Sequence, residues 1–147
     1  MSVTEIEAGA VLATWQPVLR LADWDIDVRL VTTPWRKSGD IKVDLDDRKA
    51  VMLLAAGMPA ADLEEVVVHE LLHLRLFGLD RMLSDLLDAV FGADTGEPRR
   101  GFAENRFMTE LEATTEDLTK AVLVAAGRTA PFTFRRLEAE VEREIGG

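Results

Sequence analysis

The chain has 147 residues, enough for one domain with a real core, and its 48% hydrophobic and 30% charged residues are typical of a soluble globular protein. A formal net charge of −10 argues against a nucleic-acid binder, and the basic pairs Arg99–Arg100 and Arg135–Arg136 are too small to reverse it. The absence of cysteine excludes disulfides and thiolate metal sites, so any metal must be held by His and carboxylate.

The opening residues, MSVTEIEAGAV, have no basic stretch and no long apolar core. No signal peptide is expected, and a cytoplasmic location is. Residues 4–22 read as an amphipathic helix. Thr4 and Glu7 suit a capping box, and Ile6, Ala10, Val11, Trp15, Val18 and Leu19 are the expected inward stripe, with Pro17 as a kink. Residues 24–32 (WDIDVRLVT) alternate apolar and charged, as a half-buried strand does. Residues 34–39 form a turn, residues 40–45 a second strand, and 46–48 another turn. Residues 50–55 (AVMLLA) are continuously apolar, which fits a more buried strand. The longest uncharged run, 50–61, is broken by Gly57 and Pro59 and is too short to span a bilayer, so no membrane contact is expected.

The next helix carries the chemistry. Asp62 is its expected cap, Glu64 and Glu65 suit its positive end, and Gly78 is its expected stop. Within it, VVVHELLHLRLF places His69, Glu70 and His73 among Val and Leu. Residues i and i+4 lie one turn apart on one helix face, so the two imidazoles can grip one metal ion. Glu70 is rotated by about 100° from His69, which sets its carboxylate beside a water on the metal rather than on the metal. This is the His-Glu-x-x-His arrangement of zinc peptidases, with two ligands and a general base. These are the chain's only histidines. The surrounding apolar residues predict a largely buried helix, in which an unpartnered His, Glu and His would be costly.

Residues 79–91 read as a further helix with Met82, Leu83, Leu86, Leu87 and Val90 on its apolar side. Residues 94–101 (DTGEPRRG) read as a surface loop. Residues 102–126 read as one long helix with Leu111, Leu118, Val122 and Ala125 at helical spacing. Pro131 opens the tail, and Leu137, Val141 and Ile145 mark a short, charged final helix. No repeat or second domain is visible, so residues 1–147 are read as one unit.

A catalytic zinc needs a third protein ligand. With no histidine left it must be acidic, and the long helix offers Glu104, Glu110, Glu112, Glu116 and Asp117. Glu112 and Glu116 share a face at i, i+4, flank Thr115 and Thr119, and lie at the edge of the apolar stripe, which suits a ligand. Glu110 and Asp117 fall further toward solvent.

VVVHELLHL followed by ELEATTEDL resembles the gluzincin group of zinc metallopeptidases, more narrowly the small single-domain relatives found in bacteria, phages and prophages. The resemblance extends loosely over residues 24–122 and is specific at 66–74. It implies an α+β, zincin-like fold: a small mixed sheet of about three strands, packed on an N-terminal helix and the motif helix, with a helical C-terminal half. It implies Zn2+ on His69, His73 and Glu112, Glu70 as general base toward a zinc-bound water, and Glu116 as the acid that orients a ligand histidine. The implied activity is peptide-bond hydrolysis, with a peptide or protein as substrate. The acidic balance mildly favours basic or neutral peptides. The 50–55 strand is the expected edge for extended substrate. The chain departs from the group at Arg75, where an uncharged residue is usual, and in having no Tyr and no spare His to hold the oxyanion. Zinc alone, a backbone N–H or Arg106 would have to serve, which implies a weak or narrowly specific enzyme. The alternative is a non-catalytic zinc-binding module for protein interaction or regulation. Imidazole and carboxylate also accept other divalent metals.

Overall fold

The computed structural model describes residues 2–128 and 141–146. The fold is α+β: among the described residues a three-stranded mixed sheet packs with three long helices. Helix α1 spans Glu5–Val18, strands β1, β2 and β3 span Asp25–Val31, Gly39–Asp44 and Lys49–Ala55, and helices α2 and α3 span Leu63–Phe91 and Pro98–Ala125.

Helix α1 opens on the expected capping box: the Thr4 hydroxyl accepts from the Glu7 N–H, and the Glu7 carboxylate accepts from the Thr4 N–H. Its buried face matches the expected stripe only in part: Trp15 is buried and Val11 and Leu19 are half-buried against the core, but Ala8 and Leu12 complete the face, whereas Ala10 is exposed and Ile6 and Val18 are 86% and 60% exposed. Both stripes fit a helical period, and the choice was made by where the sheet and α2 lie, which periodicity does not encode. Trp15 anchors the helix, its indole N–H donating to Glu64 of α2.

The strand order is β1-β3-β2, with β1 parallel and β2 antiparallel to β3. Thus β3 is central and cannot be the substrate-pairing edge expected of residues 50–55. The edges are β1 and β2. The central place explains the continuous apolar run. Ala50, Met52 and Leu54 are buried against the helices, and Val51, Leu53 and Ala55 are half-buried on the other face.

The main core joins Leu12 and Trp15 of α1, Met52 and Leu54 of β3, and Val67, Val68, Leu71 and Leu72 of α2. Helix α2 does not stop at Gly78. It runs on through the predicted 79–91 helix and ends at Gly92, whose φ of +79° a glycine adopts without strain. A glycine stops a helix only where the chain turns away, and here α3 supplies a partner beyond it. Asp62 precedes the helix but makes no side-chain cap bond; the 3-10 turn Ala60–Asp62 leads in instead.

The expected loop is shorter than residues 94–101, because α3 begins at Pro98, with Glu97 accepting the Arg100 N–H as N-cap. Buried Arg100 donates to Asp88 and to the Gly92 carbonyl, which ties the α2–α3 connection. On α3 the buried stripe is Leu111, Thr115, Thr119 and Leu123, while Leu118 is 39% exposed. Pro131, expected to open the tail, and Leu137 of the expected final helix lie outside the described residues; residues 141–145 are helical.

Candidate metal centre

Two antiparallel helices build the site. Helix α2 presents His69 and His73 one turn apart, and α3 presents Glu112 and Glu116 one turn apart against them. His69 Nε2 lies 2.9 Å from Glu112 Oε1, His73 Nε2 lies 2.9 Å from Glu112 Oε2, and the two Nε2 atoms are 3.1 Å apart. His69 Nδ1 lies 3.0 Å from Glu116 Oε2. The helices approach closely because α3 meets α2 through small residues. Thr115 and Thr119 are fully buried, and their hydroxyls are satisfied by the carbonyls of Leu111 and Thr115 one turn back.

The donor set fits a divalent metal on two counts. Four ligands at zinc distances stand roughly 3.3 Å from one another. The 2.9–3.1 Å separations here need only a few tenths of an ångström of opening. The second count is protons. A neutral imidazole has one N–H. His69 meets a carboxylate at each of its nitrogens. If Nδ1–H donates to Glu116, the Nε2 lone pair faces Glu112, and a proton or a metal cation must lie between them. Burial, helped by the neighbouring His69 ring, holds His73 below the usual imidazole value, which favours the neutral form that metals bind.

Glu70 stands apart from the converging ligand atoms of His69, His73 and Glu112. It is 7% exposed and faces β2. Burial, then the charges of Asp40 and Glu112, push its carboxyl up to about 8. Gly39 makes this seat possible. A Cβ there would lie 2.7 Å from Val66 Cγ1, 3.0 Å from Glu70 Oε1 and 3.1 Å from Glu70 Cγ. Only a glycine lets β2 come this close. Sequence reasoning took Gly39 as the end of a turn; the signal available was a glycine directly followed by an alternating strand, a mark of close backbone approach.

Asp40 is the second residue that the sequence did not single out. Its Oδ1 accepts the Ile41 N–H, and its Oδ2 lies 3.2 Å from Lys37 Nζ and 2.8 Å from Lys42 Nζ. Burial works against its charge, but the two ammonium groups prevail and hold the carboxyl below the usual range. The charged groups around Glu70 on the β2 side are therefore Asp40, Lys37 and Lys42. Behind His69, burial and the Glu116 carboxylate raise Glu65.

The other carboxylates weighed on α3 are not in the cluster: Glu104 and Asp117 are exposed, and Glu110 pairs with Arg106 at 2.8 Å. Arg75 is exposed on α2, and no helix among the described residues is long and apolar enough to cross a membrane. Compared with known protein families, with curated proteins and with solved structures, the chain matches none.

Proposed function

We propose that this protein is a zinc-dependent metallopeptidase of the gluzincin kind, with a zincin-like fold. One observation carries the reading. His69, His73 and Glu112 converge their ligand atoms at one point, with a carboxylate behind His69 and a second, buried carboxylate on the next residue. Each part has a role in metal-assisted hydrolysis. His69 and His73 bind through Nε2, and Glu112 through a carboxylate oxygen. Glu116 takes the Nδ1–H of His69 and so fixes the tautomer with its lone pair on Nε2.

Zinc, when bound, supplies Lewis acidity, acidifying water and polarising a carbonyl. Glu70 accepts the proton of the attacking water on its carboxylate and passes it to the leaving amine. Its burial keeps solvent from competing for that proton. Extended substrate pairs with the free edge of β2, which Gly39 brings against Glu70.

The test is metal content by elemental analysis together with cleavage of a peptide pool. The wild-type chain should carry about one metal ion, lost in Glu112→Ala. Glu70→Gln should keep the metal and lose cleavage by about a hundredfold or more. A Glu70→Gln chain that still cleaves would sink the mechanism. Zinc held without cleavage in the wild type would make this a non-catalytic zinc module. No metal in either chain after zinc is added back would remove both.

A further inference from the structure

The seam where α2 meets α3 carries one polar side chain that the proposed mechanism does not use. At 100° per residue, His73, Leu76, Asp80, Leu83, Leu87 and Phe91 fall within an arc of about 80° round α2. Leu87 is buried and the others are half-buried. Beyond His73 the seam is apolar except at Asp80. This residue stands about 20° round from His73 and two turns further along, a rise of about 10.5 Å. It therefore lies on the side of α2 that bears the histidine ligands, next to the candidate metal centre along the hairpin.

Nothing in the chain accounts for an acid at this point. Asp80 Oδ1 is buried and has no hydrogen-bond partner among the described residues. No Lys or Arg among the described residues pairs with it. Burial lifts its carboxyl above the usual carboxylate range, and the His73 ring is the one charge that opposes this. A leucine there would continue the seam and spare the chain the cost of drying an unmatched carboxyl. An acid held against stability beside a candidate site calls for a ligand of opposite charge.

We propose that Asp80 determines specificity, receiving the ammonium or guanidinium group of a lysine or arginine beside the scissile bond. The proposal rests on the peptidase reading above and names the substrate class for it. Reach supports it: a lysine side chain spans five bonds, about 6 Å extended, and a hydrogen bond adds about 3 Å, so a Cα held beside the metal brings the charge to Asp80. The flanks support it too. Leu76 and Leu83, one on each side of Asp80 along the seam, offer apolar surface to the methylene stem, while the charged head meets the carboxylate.

Calorimetric titration of the full-length, zinc-loaded Glu70→Gln chain tests this without turnover. The probes are pentapeptides blocked at both ends, so that no terminal amine can replace the side chain, and alike except for a central lysine or norleucine. The lysyl peptide should bind at least about tenfold tighter, and adding Asp80→Asn should bring the two within about threefold with zinc content unchanged. With Glu70 in place, cleavage of a peptide pool should fall beside Lys and Arg. Asp80→Asn should lower kcat/KM at those bonds by more than about tenfold and leave other bonds within about threefold. Asp80→Leu should raise the urea midpoint of the metal-free chain; a lower midpoint would mean that the acid serves the fold, and would overturn the proposal. So would lysyl and norleucyl peptides that bind alike, or a preference that survives Asp80→Asn. Those failures leave the metal reading standing. Its own failure shows separately, as a wild-type chain that takes up no zinc, and takes this proposal with it.

Discussion

The two halves of helix α2 have the same kind of sequence and opposite surroundings. Between Leu63 and Leu74 the apolar side is sealed against α1 and the sheet, and the adjoining side holds His69, Glu70 and His73 in fixed places. Between Leu79 and Phe91 an equally regular apolar side meets solvent, and Leu87 is the one residue of that stretch that is fully buried. Periodicity thus reports which side of a helix is apolar, and not what stands opposite it. A carboxyl as fully buried as that of Glu70 is found only in the first half, where the packing is dense enough to hold it away from water.

The contrast can be broken from either end. The largest effect expected is at Glu70. Its carboxyl is raised to about 8 in the folded chain, against an ordinary value near 4.5 when unfolded. Between those values the folded chain holds a proton that the unfolded chain has released, so the metal-free protein loses stability as pH rises from 4.5 to 8 and levels off above. The loss approaches roughly 5 kcal/mol. Urea titrations across that range should show the slope in the wild type and not in Glu70→Gln, which should be the more stable of the two at pH 8. Zinc should flatten the wild-type slope by favouring the ionised carboxylate.

Packing comes next. Leu71→Ala, in the sealed half, should cost about 3 kcal/mol by equilibrium unfolding, while Leu86→Ala, in the open half, should cost under about 0.5 kcal/mol in dilute solution. Equal losses would mean that the distal stripe is covered in the monomer. Gly39→Ala should cost about 2 kcal/mol, because its Cβ must displace Val66 and Glu70 together. If the base is where we infer, the same substitution lowers the cleavage rate constant more than it changes metal content. The smallest effect is a gain: Gly78→Ala should stabilise the dilute chain by up to about 1 kcal/mol, the ordinary penalty of glycine within a helix, read as a higher urea midpoint.

Much of this was legible in the sequence. The three strands, the capping box at Thr4 and the helical motif follow from local pattern. Glu112 and Glu116 stand out among five acidic residues by their shared face at the edge of the apolar stripe and by the resemblance. Their meeting with the histidines depends on α3 lying antiparallel to α2, which the sequence does not show. What was missed depends on neighbours in space. Ile6 and Val18 match a helical period as well as Ala8 and Leu12 do, and only the placement of the sheet chooses between them. Gly78 reads as a stop because glycine usually is one, but α3 gives the helix beyond it a partner. The order β1-β3-β2 is invisible along the chain because it is a choice of pairing, and with it went the identity of the free edge. Gly39 stood in plain view, but its role appears only once Glu70 is set against it.

That strand order has a consequence for how the molecule comes into being. The strand that emerges last, β3, is the one both others pair with, and β1 and β2 never touch. As the chain leaves the ribosome, no sheet exists until Lys49–Ala55 has been made. The floor under α2 is then laid at nearly the moment α2 itself begins to emerge. The histidines follow directly, but Glu112 is 39 residues behind His73. For the whole of that interval the two imidazoles have been made without the carboxylate that α3 later sets against them.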